Sequence, residues 1–353
     1  LGQADHFDMP KTITIKDIAK LAGVSHATVS RVLNNSAKIR PGTRERILTL
    51  VRDLNFSRNP SARSLSSGRK FAIGMLILYD PFERRYPAEF LPAVLAGMTT
   101  ELNAHGYNLT LFFDQIQEQR DQVPSRWLSR SHLDGLFVLG LEREAAIAHK
   151  VASVTVPVVL VNQRIMGLQL SSVIANDEAG GYAAAAHLLD LGHTRIGFVE
   201  GVPHHGSNID RKAGYQRALQ ERGVPADPSL HRVGLYEEDG GYRATNELLD
   251  AHPDLTAIFS ANDIMALGVY RAIKERGRRI PEDMAVIGYD DSVFAPVIDP
   301  ALSSVRKPRT RMGQTAASMM LSLIDAGNAG LKPQEVVLPT ELVIRRSTNP
   351  AAE

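Results

Sequence analysis

The chain has 353 residues, 44% of them hydrophobic, too many for one ordinary core and enough for two or three domains. It contains no cysteine and no uncharged apolar run of about 18 residues, which excludes a disulfide scaffold, a cysteine-ligated zinc site and a membrane-spanning helix, and fits the cytoplasm. The net charge of +1 hides a division: residues 1–70 carry 13 Lys and Arg against 5 Asp and Glu, whereas the remainder carries 27 against 34, so a polyanion is the expected partner of the head alone.

The opening LGQADHFDMP lacks the basic-then-apolar layout of a signal peptide. Residues 1–11 read as a disordered lead-in, with Met9 a candidate internal start. Thr14 then caps a helix, and Asp17 is its first-turn acid. Ile15, Ile18, Ala19 and Leu21 recur at helical spacing, and Gly23 supplies the left-handed stop. Ser25 caps a second helix with Val29, Val32 and Leu33 on its inner face. The small Ala19 lets the two helices cross closely, so the second helix is held with its first residues free to meet base edges in a major groove. Residues 41–55 form a third helix, and Ile47, Leu48, Val51 and Leu54 close the small core. A helical hairpin with no DNA to bind is the plain alternative. Residues 59–68, NPSARSLSSG, are too short to be stably helical alone and read as a Ser-rich linker, although Pro60 suits a first helical position.

From Phe71 onward, strands and helices alternate. FAIGMLIL, YNLTLFF, GLFVLG, PVVLVN, RIGFVEG, AIFSAND and MAVIGYD read as short buried strands, separated by amphipathic stretches such as 178–191, 210–222 and 262–276. That rhythm predicts two parallel α/β sheets, hence two lobes with a cleft between them. Ligands of such sheets bind at the carboxyl ends of the strands. Tyr236 reads as a plain position on the rim, with a stacking face for a ligand's apolar side as the alternative.

Three stretches, TIKDIAKLAGVSHATVSRVLN, RPGTRERI and LNFSRNPSARSLSSGR, resemble the head and hinge of the LacI/GalR family of transcription regulators. LLDLGHTRIGFVEG, DRKAGYQRAL, FSANDIMALGVYRAI and IPEDMAVIGYDD resemble the periplasmic-binding-protein-like body of these proteins. The likeness runs from about Thr12 to about Arg346. It implies a helix-turn-helix domain over 12–58, a hinge helix over 59–70 and an effector-binding, dimerising body over 71–348. The body would comprise lobe one, about 71–162 plus 292–325, and lobe two, about 163–291 plus 326–346.

The resemblance places base-reading side chains at His26 and Ala27, with Arg31 a turn later. Arg31 suits a bidentate contact to guanine, with a phosphate contact as the alternative, and Ala27 suits a thymine methyl. Thr14, Ser25, Thr28, Ser30 and Asn34 are read as phosphate and positioning contacts, together with Asn59. Ala62 and Leu65 would enter the minor groove, Leu65 as a wedge between base pairs. In the body, Asn162, Arg211, Asn262 and Asp290 match ligand contacts of the family, and a carboxylate, two amides and a guanidinium suit vicinal hydroxyls. The alternatives are a plain helix cap for Asn262 and a surface acid as the partner of Arg211. Leu139 departs from some sugar-responsive members, which carry a polar residue there, and the charged loop YDPFERRYPAEF is individual; Tyr79, Asp80, Arg85 and Tyr86 are its candidates for the cleft.

Catalysis finds no support: there is no GxxxxGK[ST], GxSxG or HExxH, and no cofactor or metal is expected. His204-His205 reads as a polar loop, Asp263 as structural, and Asp291 as serving a crossover between lobes. The expected protein is a repressor that grips a near-palindromic operator as a homodimer and answers to a sugar. A nucleobase or nucleoside is the other effector considered, and a solute-binding transport protein or a sugar-modifying enzyme the other functions. The C-terminal STNPAAE carries no heptad leucines, so a dimer rather than a tetramer is expected.

Overall fold

The computed structural model describes residues 13–33, 38–54, 56, 68–79, 89–115, 132–140, 151–165, 167–327, 332–349 and 351. The chain falls into two units, Leu1–Lys70 and Phe71–Glu353.

In the first unit, α1 (Ile15–Ala22), α2 (His26–Leu33) and α3 (Pro41–Asp53) enclose one small core. Thr14 and Asp17 form a reciprocal capping box, in which Thr14 N–H donates to Asp17 Oδ2 at 2.8 Å and Asp17 N–H donates to Thr14 Oγ1 at 3.4 Å. Gly23 sits at φ 60°, ψ 38° and ends α1. Ser25 Oγ accepts from Thr28 N–H at 3.1 Å and opens α2. Ile18, Ala19, Ala22, Val29, Val32 and Ile47 are buried. Two expected core residues are not: Leu21 is 60% and Leu48 39% exposed. The helical repeat explains both. Counting from Ile15, the buried stripe runs through Ile18, Ala19 and Ala22, and from Ile47 through Leu50, Val51 and Leu54, so Leu21 and Leu48 each lie one residue off the stripe.

The second unit holds two six-stranded sheets. The first runs β11-β5-β4-β3-β1-β2, all parallel, from strands Ala72–Tyr79 (β1), Asn108–Gln115 (β2), Gly135–Leu139 (β3), Val158–Val161 (β4), Ser171–Ala175 (β5) and Glu335–Leu338 (β11). The second runs β12-β10-β9-β8-β6-β7, from Ile196–Glu200 (β6), His231–Val233 (β7), Ala257–Ser260 (β8), Ala285–Asp290 (β9), Ser303–Arg306 (β10) and Glu341–Val343 (β12); only β12 is antiparallel. Both sheets therefore share one winding order, with a topological switch beside β1 and beside β6. Helices α4 (Phe90–Ala104) and α9 (Arg309–Ala326) pack together on the first sheet. Helices α5 (Asp177–Asp190), α6 (Gly206–Glu221), α7 (Glu238–Ala251) and α8 (Asp263–Glu275) surround the second, pairing α5 with α6 and α7 with α8.

Each helix pair crosses on reciprocal glycines. A Cβ on Gly97 or Gly313 would overlap the backbone of the partner helix, and the same holds for Gly181 with Gly214 and for Gly241 with Gly268. The chain's last strands are woven in as well. Ser347 N–H donates to Ala301 O at 2.9 Å, its Oγ donates to Val286 O at 2.6 Å, and Thr348 Oγ1 lies 2.7 Å from Ser303 Oγ and 2.9 Å from His187 Nε2.

The chain passes between the sheets three times: from β5 into α5, from β10 into α9, and from β11 into β12. These crossings correct the expected lobe boundaries. Residues 171–175 and 335–338 belong to the first sheet and 303–306 to the second. The expected borders fell one strand early because β5 and β10 open on serine pairs, Ser171-Ser172 and Ser303-Ser304, and lack the apolar run of the other strands. Helix bounds moved too: α6 starts at Gly206, so Arg211 lies inside the helix and does not open it.

Candidate functional site

On the first unit, α2 turns Val29 and Val32 inward and leaves His26, Ala27 and Arg31 exposed, with Thr28 and Ser30 half-buried. Ser25 and Thr28 are joined through their hydroxyls at 2.8 Å, so both hold the helix start in shape. Thr14 likewise spends its hydroxyl on Asp17, 2.7 Å away. The result is a firmly capped helix with an exposed basic and polar face over its first two turns. Asn34, Asn59, Ala62 and Leu65 lie outside the described residues, as do Asp80, Arg85 and Tyr86; of Tyr79 only the backbone, the last residue of β1, is described.

In the second unit Asn162, Asn262 and Asp290 sit at carboxyl ends of strands, as the winding predicts, and Arg211 lies in the second turn of α6, the helix that follows β6. Arg211 is the centre. It is buried, donates from Nε to Asp177 Oδ1 at 3.0 Å and from Nη1 to Ala261 O, and has Nη2 3.8 Å from Asp290 Oδ1. Its guanidinium carbon lies 3.7 Å from the centroid of the Tyr289 ring. Burial alone would lower its pKa, but Asp177 and Asp290 outweigh that and raise it, so it stays a cation. Its partner is not a surface acid but this buried pair.

Asp290 ends β9 at φ 104°, a left-handed setting unusual for a residue with a side chain. Burial raises its pKa against the opposing pull of Arg211 and Lys307. Asn262 is wholly buried and does cap α8, its Oδ1 accepting from Met265 N–H at 2.9 Å; its Nδ2 is buried with no partner. Asn162, at φ 59° after β4, has a buried Oδ1 with no partner. The structure thus brings Arg211, Asp290 and Asn262, through neighbouring Ala261, into one cluster, while Asn162 stands at the carboxyl edge of the other sheet.

Tyr236 is no rim residue: it is buried against Gly201, stacks on His205 with centroids 5.9 Å apart, and has its hydroxyl 3.5 Å from Ser207 Oγ. His204 and His205 meet edge to face at 5.1 Å, and no group of three metal-ligating side chains occurs among the described residues. Asp263 is structural. It accepts from Ser292 N–H and Ser304 Oγ, both at 2.7 Å, and burial raises its pKa to about 7. Asp291 is held by Arg345 at 2.6 Å and Arg306 at 2.7 Å, beside the second crossing.

Sequence reasoning missed three residues here. Asn208 Oδ1 accepts from Gly201 N–H at 2.7 Å, and its Nδ2 is buried and unpaired. Asp177, the first residue of α5, is held below the usual carboxylate range because Lys307 and Arg211 outweigh its burial. Lys307, just past β10, is buried with its Nζ 3.0 Å from Asp177 Oδ2. A local clue existed only for Asn208, one turn ahead of Arg211 on the same helix face.

Residues 14–59 match the model of bacterial regulatory proteins of the lacI family, and 185–348 match the periplasmic binding protein-like domain. The HTH-type transcriptional regulator CelR of Thermobifida fusca is 32% identical over 95% of this chain and 98% of its own length. The chain belongs to the LacI family. This LacI-family regulator is equally similar, 32% over 95%, to the transcriptional repressor PurR of Haemophilus influenzae strain PittEE, which it matches over 98% of that protein. Among solved structures, the CelR–cellobiose complex superposes with a TM-score of 0.72 at 31% identity, covering 95% of this chain and 99% of that one. The lac repressor dimer bound to operator and the anti-inducer ONPF gives 0.76 at 27% identity, covering 96% and 99%. The chain is therefore a helix-turn-helix transcriptional regulator with a two-lobed α/β body. No helix among its described residues is long and apolar enough to cross a membrane.

Proposed function

We propose that this regulator is a cytoplasmic repressor that binds a near-palindromic operator as a homodimer and that an uncharged, hydroxyl-rich effector, a sugar, controls its grip. In this reading residues 12–58 read DNA, 59–70 form the hinge and 71–348 bind effector and pair with a second copy; the protein regulates and does not catalyse. The relatives supply support: the lac repressor structure is a dimer on its operator, and the CelR structure is a complex with cellobiose.

The observation that carries the sugar reading is the set of stranded amide atoms: Asn208 Nδ2 on α6, the helix that also holds Arg211, Asn262 Nδ2 after β8, next to the strand that Asp290 ends, and Asn162 Oδ1 after β4 in the first sheet. Buried polar atoms without partners are costly unless a ligand or water completes them. Acceptors and donors of both kinds suit hydroxyls. The ions of the cluster, Arg211 and Lys307 against Asp177 and Asp290, balance in sign, which disfavours a charged ligand. A purine is the second reading, favoured by the flat Tyr236–His205 stack. A thermal-shift screen against mono- and disaccharides, purines and nucleosides separates them. Ligand at about 100 times its Kd adds roughly 2.7 kcal/mol to the folded state, and the midpoint rises by several degrees. A response to purines alone overturns the sugar reading.

On the DNA side, Arg31→Ala is expected to cost about 1–3 kcal/mol and to relax preference at one base pair of an operator obtained by in vitro selection. Weakening spread evenly over all sequences would reassign Arg31 to a phosphate.

A further inference from the structure

The buried ion cluster lies where the chain passes between the two sheets, and nothing in the effector reading requires it there. Asp177 opens α5 at the first crossing, immediately after β5. Lys307 lies on the second, between β10 and α9. The two side chains meet at 3.0 Å, 130 positions apart in sequence, and both are buried. The third crossing touches the same point: Thr340, between β11 and β12, donates its hydroxyl to Asn176 O at 3.3 Å, and Thr340 Oγ1 and the Tyr289 hydroxyl occupy the space that a Cβ on Gly180, in the first turn of α5, would need. Asp177 also receives Arg211 through its Oδ1.

We propose that Asp177 and Lys307 form a pin that fastens two interlobe crossings together and positions Arg211 beside Asp290, so that drawing Arg211 toward a ligand loosens the crossings. The assignment of Arg211 to the effector rests on the reading above; the pin itself rests on the crossings alone. Two physical points support it. Separating a buried ion pair strands both charges, so the pin resists relative slip of the segments that carry them. An apolar pair of the same volume would stabilise the fold as well or better, so four interlocked charges at a crossing fit a switching role rather than mere cohesion. Asp177 is shared by two cations, and whatever draws Arg211 away leaves Lys307 as the remaining partner.

The chain lacks cysteine, so Asn103→Cys on α4 and Gln220→Cys on α6, both exposed, give one spin label on each lobe. Pulsed electron–electron double resonance on the full-length protein, without effector and with labelled subunits exchanged into a large excess of the cysteine-free parent so that an assembly carries one labelled chain, then reads the interlobe distance within that chain. A single narrow distribution is expected for the parent. Lys307→Met should lose that narrow peak and spread to other separations, and Lys307→Arg, which keeps the charge, should restore it. If Lys307→Met does not fold, Lys307→Gln carries the same expectation. A parent distribution as broad as the variant's, or a Met or Gln variant with the parent's narrow peak, overturns the pin, including when its melting temperature has fallen. No effector enters the measurement, so a failed sugar screen leaves this result untouched, and a failed pin leaves the sugar reading in place.

Discussion

Asp290→Ala is expected to abolish the effector response while operator binding by the effector-free protein persists. In the proposed reading this side chain is the cluster's acceptor for the ligand, with Arg211 Nη2 3.8 Å away. Losing a charged acceptor for ligand hydroxyls costs about 1.5–3 kcal/mol, which is roughly ten- to a hundred-fold in Kd. The sign of the pH dependence follows from the same group. Burial raises the Asp290 pKa, so the ligand-accepting carboxylate is complete above that raised value and is lost as the pH falls through it. Effector affinity should therefore weaken on acidification in the parent and lose that component in Asp290→Asn. Calorimetric titrations of parent and variants across pH check both parts, and an unchanged dose response for Asp290→Ala would remove the residue from the site.

The second large effect is expected far from any ligand. At Gly214 an added Cβ would meet Glu178 O and Tyr182 N, backbone atoms of α5 that cannot turn aside as a flexible side chain would. Overpacking of this kind costs about 1–3 kcal/mol, and the upper end applies because the neighbour is backbone. Gly214→Ala should lower the melting midpoint by several degrees. Gly206→Ala, at the start of the same helix with open space around it, should change stability by no more than about 0.5 kcal/mol or raise it slightly. Equal midpoints for the two variants would show that α5 and α6 separate freely and that the glycine contact is not tight.

Much of the first unit was legible because its signals are local. Thr14 with Asp17, Gly23, and Ser25 with Thr28 act over three or four residues, and each does what its residue type does elsewhere. Leu21 and Leu48 are apolar by type but lie one residue off the buried stripe, and position on the helix, not hydrophobicity, decides burial there. In the second unit the alternation of strands and helices was readable, but the traffic of the chain between sheets was not. Strands such as β5 and β10, each one in from a sheet edge, are short and begin on serines, so their pairing partners, not their composition, decide where they belong. The same limit applied at the site. Arg211, Asn262 and Asp290 end or follow recognisable strands, whereas the partner of Arg211 lies 34 positions away and the partner of Asp177 another 130. Nothing in a window of sequence links those positions; the winding of the sheets does.

The weaving of β11, β12 and Ser347 into both sheets has a consequence in time. On the ribosome, everything that the first unit's core needs has been made by Phe56, whereas neither sheet is complete until residues 335–343 emerge. At a synthesis rate of about 5–20 residues per second, that interval lasts roughly 15–60 s. Throughout it the basic three-helix unit can already be folded, while the larger body still exposes the unfilled edges of both sheets and stands open to chaperones and to mispairing.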